Sequence, residues 1–365
     1  MNSTVPNAPA APLEPTGPSV EKVIPPKTKS HPLVKTVQLV LKLGVVVGAL
    51  YYLRSKVGPA DLEKLKVLFS NHALMAGAIA IFSVQMLIGA QRLRILLAPQ
   101  HVHLSYWTAL RLTYLGAFFD TFMVTSVGGD AVKAFYLARE APREHRVEAV
   151  SVLILDRLMG LIGLIALAVI VSFWQLQRLQ GSDQTQWMVK WLIIVPFALL
   201  AGTAMLLSET VYLSSPMQFL IRYLPMGAML GRAYGSLQKF RDRPRVLLHA
   251  FLLSTVVHTF GVLTGYVLML GMDKHAEVGP FVVSLLVCNF VCSFLPLGGI
   301  GGGQVLFERV FLAIAAMEGG LVLATGLQVA ILIAKAPGFI AWLLSREAPH
   351  HPADPAKPVE AVKPS

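Results

Sequence analysis

The chain has 365 residues, 55% of them hydrophobic and only 14% charged, with a net charge of +11 and a mean hydropathy of +0.63. Windows approaching the ~20 apolar residues that span a bilayer recur along it, which excludes a soluble globular enzyme and indicates an all-α polytopic membrane protein. The basic excess sits in short segments between apolar spans, where it sets orientation and meets anionic headgroups, so it does not point to nucleic acid.

In chain order, residues 1–33 hold eight prolines and no long apolar run, and are expected to form a disordered cytosolic tail. Uninterrupted apolar spans are expected at 34–53, 73–90, 149–174, 188–207, 246–270 and 321–344, six full spans in all. Residues 346–365, rich in Pro, Ala and Lys, repeat the character of the first tail. The folded part is therefore 34–345, in halves of about 34–174 and 188–345. Cys288 and Cys292 lie four apart on one apolar helical face and read as buried thiols, without further ligands for a metal.

Two more apolar regions, 104–138 and 278–317, are interrupted by glycine. The first break reads Ser126-Val127-Gly128-Gly129-Asp130, and the second runs Pro296-Leu297-Gly298-Gly299-Ile300-Gly301-Gly302-Gly303-Gln304. Each is expected to be a re-entrant hairpin or a broken span, because irregular backbone at membrane depth is tolerated only beside protein or a polar cavity. With both breaks re-entrant, the basic segments holding Arg92, Lys133, Arg146 and Arg241 fall on the cytoplasmic side with both termini. Arg54, Lys56, Lys64 and Lys66 run against this, in a segment read as an interfacial helix. Gly128 and Gly298 are 170 positions apart, and the order span, span, break, span occurs twice. Three crossings per half would invert the second half relative to the first, the pattern in which transporters place substrate between repeats.

The candidate binding residues gather at the breaks. Gly128 and Gly129 permit unusual backbone angles, and Asp130 suits the N-cap of a helix beginning at Ala131. Lys133, one turn on, is placed to pair with Asp130 or to hold a lipid phosphate. Asp120, among Phe118, Phe119 and Phe122, needs a polar cavity or a partner. Asp156 and Arg157, about 100° apart on a helix, must find different partners; Asp156 suits either an internal pair with Lys133 or direct substrate contact. In the second break Pro296 ends a half-helix, and Gly298, Gly299 and Gly301 precede a helix resuming near Gln304, whose free N–H groups suit an anion. Glu308 and Arg309 read as interfacial. Lys335 beside Pro337 reads as a snorkelling side chain at a kink, and His258 as a satisfied polar residue of its span. No catalytic residue, metal site or cofactor is expected.

Three ordered stretches carry a resemblance: Phe118-Phe119-Asp120 through Gly128-Gly129-Asp130-Ala131-Val132-Lys133, then Leu155-Asp156-Arg157-Leu158-Met159-Gly160, then Leu295-Pro296 through Gly298-Gly299-Ile300-Gly301. Together they resemble the flippase-like membrane region of lysylphosphatidylglycerol synthases, over residues 34–344. The resemblance implies a bacterial or archaeal inner-membrane bundle that moves or modifies lipids. The synthases add a soluble aminoacyl-transferase domain after this region, and a chain ending at Ser365 is expected to be a stand-alone member that does not make aminoacyl lipids. The family often has Asn at Asp120, Pro near Val124, Arg at Lys133 and Glu near Gln304. Lys133 keeps the positive charge without the bidentate fork, and Gln304 removes a charge that proton coupling there would need.

The expected function is transport of a polar-headed or polycyclic lipid across the inner membrane, with an anionic phospholipid, a hopanoid or a lipid-linked headgroup as partner. A further copy of the chain or a biosynthetic enzyme is the expected protein partner. The alternative is a membrane glycosyltransferase or an accessory to one, which would need a donor-binding surface in 208–245.

Overall fold

The structure is a computed structural model that describes residues 58–122, 128–174, 208–215, 227–272, 277–295 and 301–347, with a few residues between 194 and 205. The expected spans at 34–53 and 188–207, both tails but for Arg346 and Glu347, and Pro296, Gly298 and Gly299 lie outside this set, apart from those few residues of 188–207. The described residues are helical and contain no strand. α1 (Pro59–Ser70) leads into α2 (His72–Leu97), α3 (Tyr106–Phe122), α4 (Gly128–Glu140) and α5 (Arg146–Trp174). After a helical turn at Glu209–Tyr212 come α6 (Gly227–Gln238), α7 (Pro244–Gly271), α8 (Val278–Cys292), α9 (Gly302–Ala315), α10 (Gly320–Lys335) and α11 (Pro337–Glu347).

Local chemistry sets these ends. The Asn71 side chain accepts from Leu74 N–H at 3.3 Å and starts α2. Past Pro99 that helix closes at His101, in the left-handed region at φ 58°. Gly301 turns the chain into α9 at φ 85°, a conformation that favours glycine. Pro337, lacking an N–H, separates α10 from α11 and so produces the expected kink.

Four stretches among the described residues are long and apolar enough to cross a membrane: His72–Gln100, Arg143–Trp174, Pro244–Gly271 and Gly320–Leu344. They correspond to four of the six expected spans. The helix expected to stop at residue 90 runs on to Leu97, which places Arg92 and Arg94 inside α2 rather than in a loop. The segment 208–245 is not a plain loop either: α6 and Phe240 pack into the bundle, with Tyr234, Leu237 and Phe240 buried.

The element starts recur at a near-constant offset. α2 and α7 begin at 72 and 244, α3 and α8 at 106 and 278, α4 and α9 at 128 and 302, and α5 and α10 at 146 and 320. The offset is thus 172 for the first two pairs and 174 for the last two. Equivalent helices α2 and α7 run antiparallel: Gly77 lies opposite Val267, Gln85 opposite Gly261, and Arg92 opposite Ser254. The last helices of the halves reach across, α5 onto α7 and α8, and α10 and α11 onto α2 and α3, while α10 also packs on α9 and α5 on α4 of their own halves.

Within each half the broken region is an antiparallel helical hairpin. Arg111 of α3 pairs with Glu140 of α4, while Gly116 and Asp120 meet Gly129. In the second half Phe281 of α8 packs on Phe311 of α9 at 5.4 Å, and Cys292 lies against Gly303. Two apolar cores result. One gathers α8, α9 and α10 around Phe281, Phe311 and Val322, and the other gathers α3, α4 and α6 around Leu112, Leu137 and Phe240. α2, α5 and α7 give one end to each core. Between those ends lie Gln85, Gly160, Gly163, Ser254 and His258, the start of a polar layer.

Candidate functional site

Three ionic groups occupy this layer. The first is centred on Asp156, buried in α5. Arg92 Nε donates to its Oδ1 at 2.8 Å and Lys133 Nζ to its Oδ2 at 3.2 Å, while Arg92 Nη1 donates to Ser254 Oγ at 2.8 Å. The cluster ties α2, α4, α5 and α7 together, with two cations on one carboxylate. Gly163 permits the close approach of α5 to α7. A Cβ on Gly163 would stand 2.5 Å from Ser254 Cβ, whereas one on Gly160 would only touch Arg92 Nη1 at 3.4 Å. His258 shares a hydrogen bond of 2.9 Å with the Gly160 carbonyl, the satisfied role expected of it.

The second group is centred on Arg157, the next residue of α5. Its Nη1 donates to Asp130 Oδ2 at 2.5 Å and its Nη2 to the Ser293 carbonyl at 3.3 Å. Asp130 lies in the first turn of α4 and Ser293 just past the end of α8. One guanidinium therefore joins the two glycine breaks, with an acid at a helix start and a cation at a helix end, as the macrodipoles favour. The expected divergence of Asp156 and Arg157 is realised: they face different partners.

The third group is Lys335 at the end of α10, whose Nζ donates to Thr121 Oγ1 at 3.3 Å. Lys335, Asp130 and Arg157 all lie within electrostatic range of Asp120. Lys335 is therefore turned to the first hairpin and does not snorkel away from it.

Several local readings need correction. α4 starts at Gly128, so Asp130 sits inside the first turn and not at its N-cap, and it pairs with Arg157 instead of Lys133. α9 starts at Gly302, two residues before Gln304. The Gln304 side chain turns back to accept from Gly301 N–H at 2.6 Å, so that donor is already taken and the helix start is less open to an anion than expected. Glu308 accepts from Leu321 N–H at 2.8 Å and so caps the start of α10. Among the described residues no group of three or more His, Cys, Asp and Glu side chains is placed to hold a metal ion.

With this geometry in hand, comparison with known proteins is informative. Residues 39–338 match the family model described as Lysylphosphatidylglycerol synthase TM region, most of the chain. The chain belongs to this family. No curated protein and no solved structure matches it. Family membership and the apolar helices together make it a multi-pass membrane protein.

Of the site residues named from the sequence, the fold of this family member brings Asp120, Gly128, Gly129, Asp130, Lys133, Asp156 and Arg157 together around the first hairpin, and Gly301 and Gln304 at the second. Arg92, Ser254 and Thr121 escaped sequence reading. Arg92 resembled a loop charge beyond a span, although its spacing from the apolar residues before it continues the helix without a break.

Proposed function

We propose that this chain is a lipid transporter of the flippase or scramblase kind, which moves a polar lipid headgroup along the layer between its two halves. The observation that carries the reading is Arg157, bonded at once to Asp130 at the first break and to Ser293 at the second. Two antiparallel hairpins held by one side chain, between repeats whose equivalent helices oppose each other, supply a polar path with two potential gates. The reading places the chain in the inner membrane with both termini cytoplasmic, and assigns it no catalysis of its own. A phospholipid, hopanoid or lipid-linked headgroup is its partner, with a further copy of the chain or a biosynthetic enzyme as companion.

Glycosyl transfer finds less support. The cleft of 840 Å³ beside Ser208, Glu209 and Thr210 has one carboxylate among its lining residues, and Glu209 is paired with Arg241 at 2.7 Å. Purified protein in vesicles carrying acyl-labelled lipids tests the transport reading. Transbilayer movement above that in protein-free vesicles supports it, whereas equal rates across anionic and zwitterionic lipids, with and without protein, would sink it.

A further inference from the structure

Asp120 and Lys335 face each other across the end of the first hairpin without closing on each other. Among the described residues no hydrogen bond or direct ion pair reaches the Asp120 carboxylate, although Lys335, Asp130 and Arg157 act on it electrostatically. The Lys335 ammonium makes one hydrogen bond, to Thr121, whose hydroxyl donates onward to the Ala117 carbonyl at 3.2 Å. Asp130 and Arg157 are already committed to each other. Among the described residues of this end, the Asp120 carboxylate and the Lys335 ammonium thus lack a direct ion pair, in a layer where unmet charge is expensive.

The backbone holds this arrangement firmly. A Cβ on Gly338 would run into the Tyr114 carbonyl and stand 2.7 Å from Phe118 Cβ, so α11 lies tight on α3 just beyond Lys335. Phe119 and Trp342 stack edge to face at 5.8 Å beside it. In the other half the position equivalent to Thr121 is Ser293, offset by 172, and there Arg157 reaches the end of the matching helix. Arg157 thus serves both hairpins and Lys335 the first, where the Asp120 carboxylate has no direct partner among the described residues.

We infer that Asp120 and Lys335, the latter oriented by Thr121, form a binding site for a zwitterionic phospholipid headgroup, its phosphate on Lys335 and its primary ammonium on Asp120. Lysine offers three donors to a phosphate and a carboxylate accepts from several N–H groups. A purely anionic headgroup would set its phosphate beside Asp120 and Asp130 and offer them neutral hydroxyl donors at most, weaker than a charged ammonium. A cation alone would meet Lys335 unanswered. The aromatic rings add a face that suits an ammonium. This inference rests on the lipid-transport reading and narrows its substrate class.

The test offers the detergent-solubilised full chain an equimolar mixture of phosphatidylethanolamine and phosphatidylglycerol with matched acyl chains, and reads bound lipid by native mass spectrometry. Phosphatidylethanolamine is expected to be retained by about tenfold over phosphatidylglycerol, the discrimination one charge-assisted hydrogen bond supplies. Asp120→Asn, of nearly the same shape, should bring the ratio near one, and Lys335→Arg should preserve it. Equal retention by the unmodified protein, or a preference that survives Asp120→Asn, overturns the inference. The unmodified ratio decides alone if the variant does not fold. Soluble phosphoethanolamine retained in place of the lipid would overturn the lipid assignment. Absence of vesicle transport with the preference intact would count against the transport reading alone.

Discussion

The Gly129 backbone seats directly on the Gly116 carbonyl, so closely that a Cβ at 129 would also stand 2.6 Å from Asp120 Cβ and 2.8 Å from Asp120 N. Backbone meets backbone here, and no flexible side chain can yield. Gly129→Ala is therefore expected to destabilise the protein by about 1–3 kcal/mol or more, as overpacking does, and to displace Asp120 and Lys133. Gly235→Ala adds a methyl group where nothing lies within 4 Å, and its helical site should make it neutral or mildly stabilising. Thermal unfolding in detergent compares the two; equal midpoints would contradict the close crossing.

Asp156 answers two cations, and removing it should cost more than removing either. Asp156→Ala leaves Arg92 and Lys133 facing each other without a countercharge, at a cost of about 3–5 kcal/mol for a broken buried pair. Replacing all three by apolar residues of similar volume should recover most of that stability, because the desolvation cost of the ions disappears with them. Denaturation in detergent of the single and triple variants separates this from a purely packing effect, which predicts that the triple variant is the least stable.

Arg157 has two jobs that can be told apart. Asp130→Asn removes the ion pair but leaves the guanidinium free to donate to Ser293, whereas Arg157→Ala releases both hairpins. Lipid movement in vesicles is expected to change more in Arg157→Ala than in Asp130→Asn, and Arg157→Lys should resemble the alanine variant because an ammonium lacks the planar fork. Equal effects of Asp130→Asn and Arg157→Ala would mean that the Ser293 contact contributes nothing.

The near-constant spacing of the helices and the divergence of Asp156 from Arg157 were legible because hydrophobic runs and the 100° helical step are local signals. The four described crossings followed from the same apolar runs. The Arg92 contact with Asp156 spans 64 positions and the Lys335 contact with Thr121 spans 214, and nothing in a single sequence pairs residues so far apart. Local reading erred where a nearby partner looked sufficient: Lys133 suited Asp130 by spacing, but the tight α3–α4 crossing directs its amine to Asp156. Gln304 looked like a lost charge, yet the backbone bend at Gly301 gave its side chain a cap to make.

The antiparallel match of α2 with α7 predicts where their ends face. Asn71 begins α2 beside the end of α7, and His101 follows α2 near Arg243, which begins α7; all three are exposed. In a chain with Cys288 and Cys292 replaced by alanine, Asn71→Cys should react with an impermeant thiol reagent from one side of the membrane only. His101→Cys and Arg243→Cys should both react from the other side, which is the cytoplasmic one under the proposed orientation. Labelling of all three from one side would mean that α2 and α7 do not cross the bilayer. Labelling of His101→Cys and Arg243→Cys from opposite sides would mean that the two helices run parallel across it, and with that the inverted repeat and the shared polar layer between the hairpins would fall.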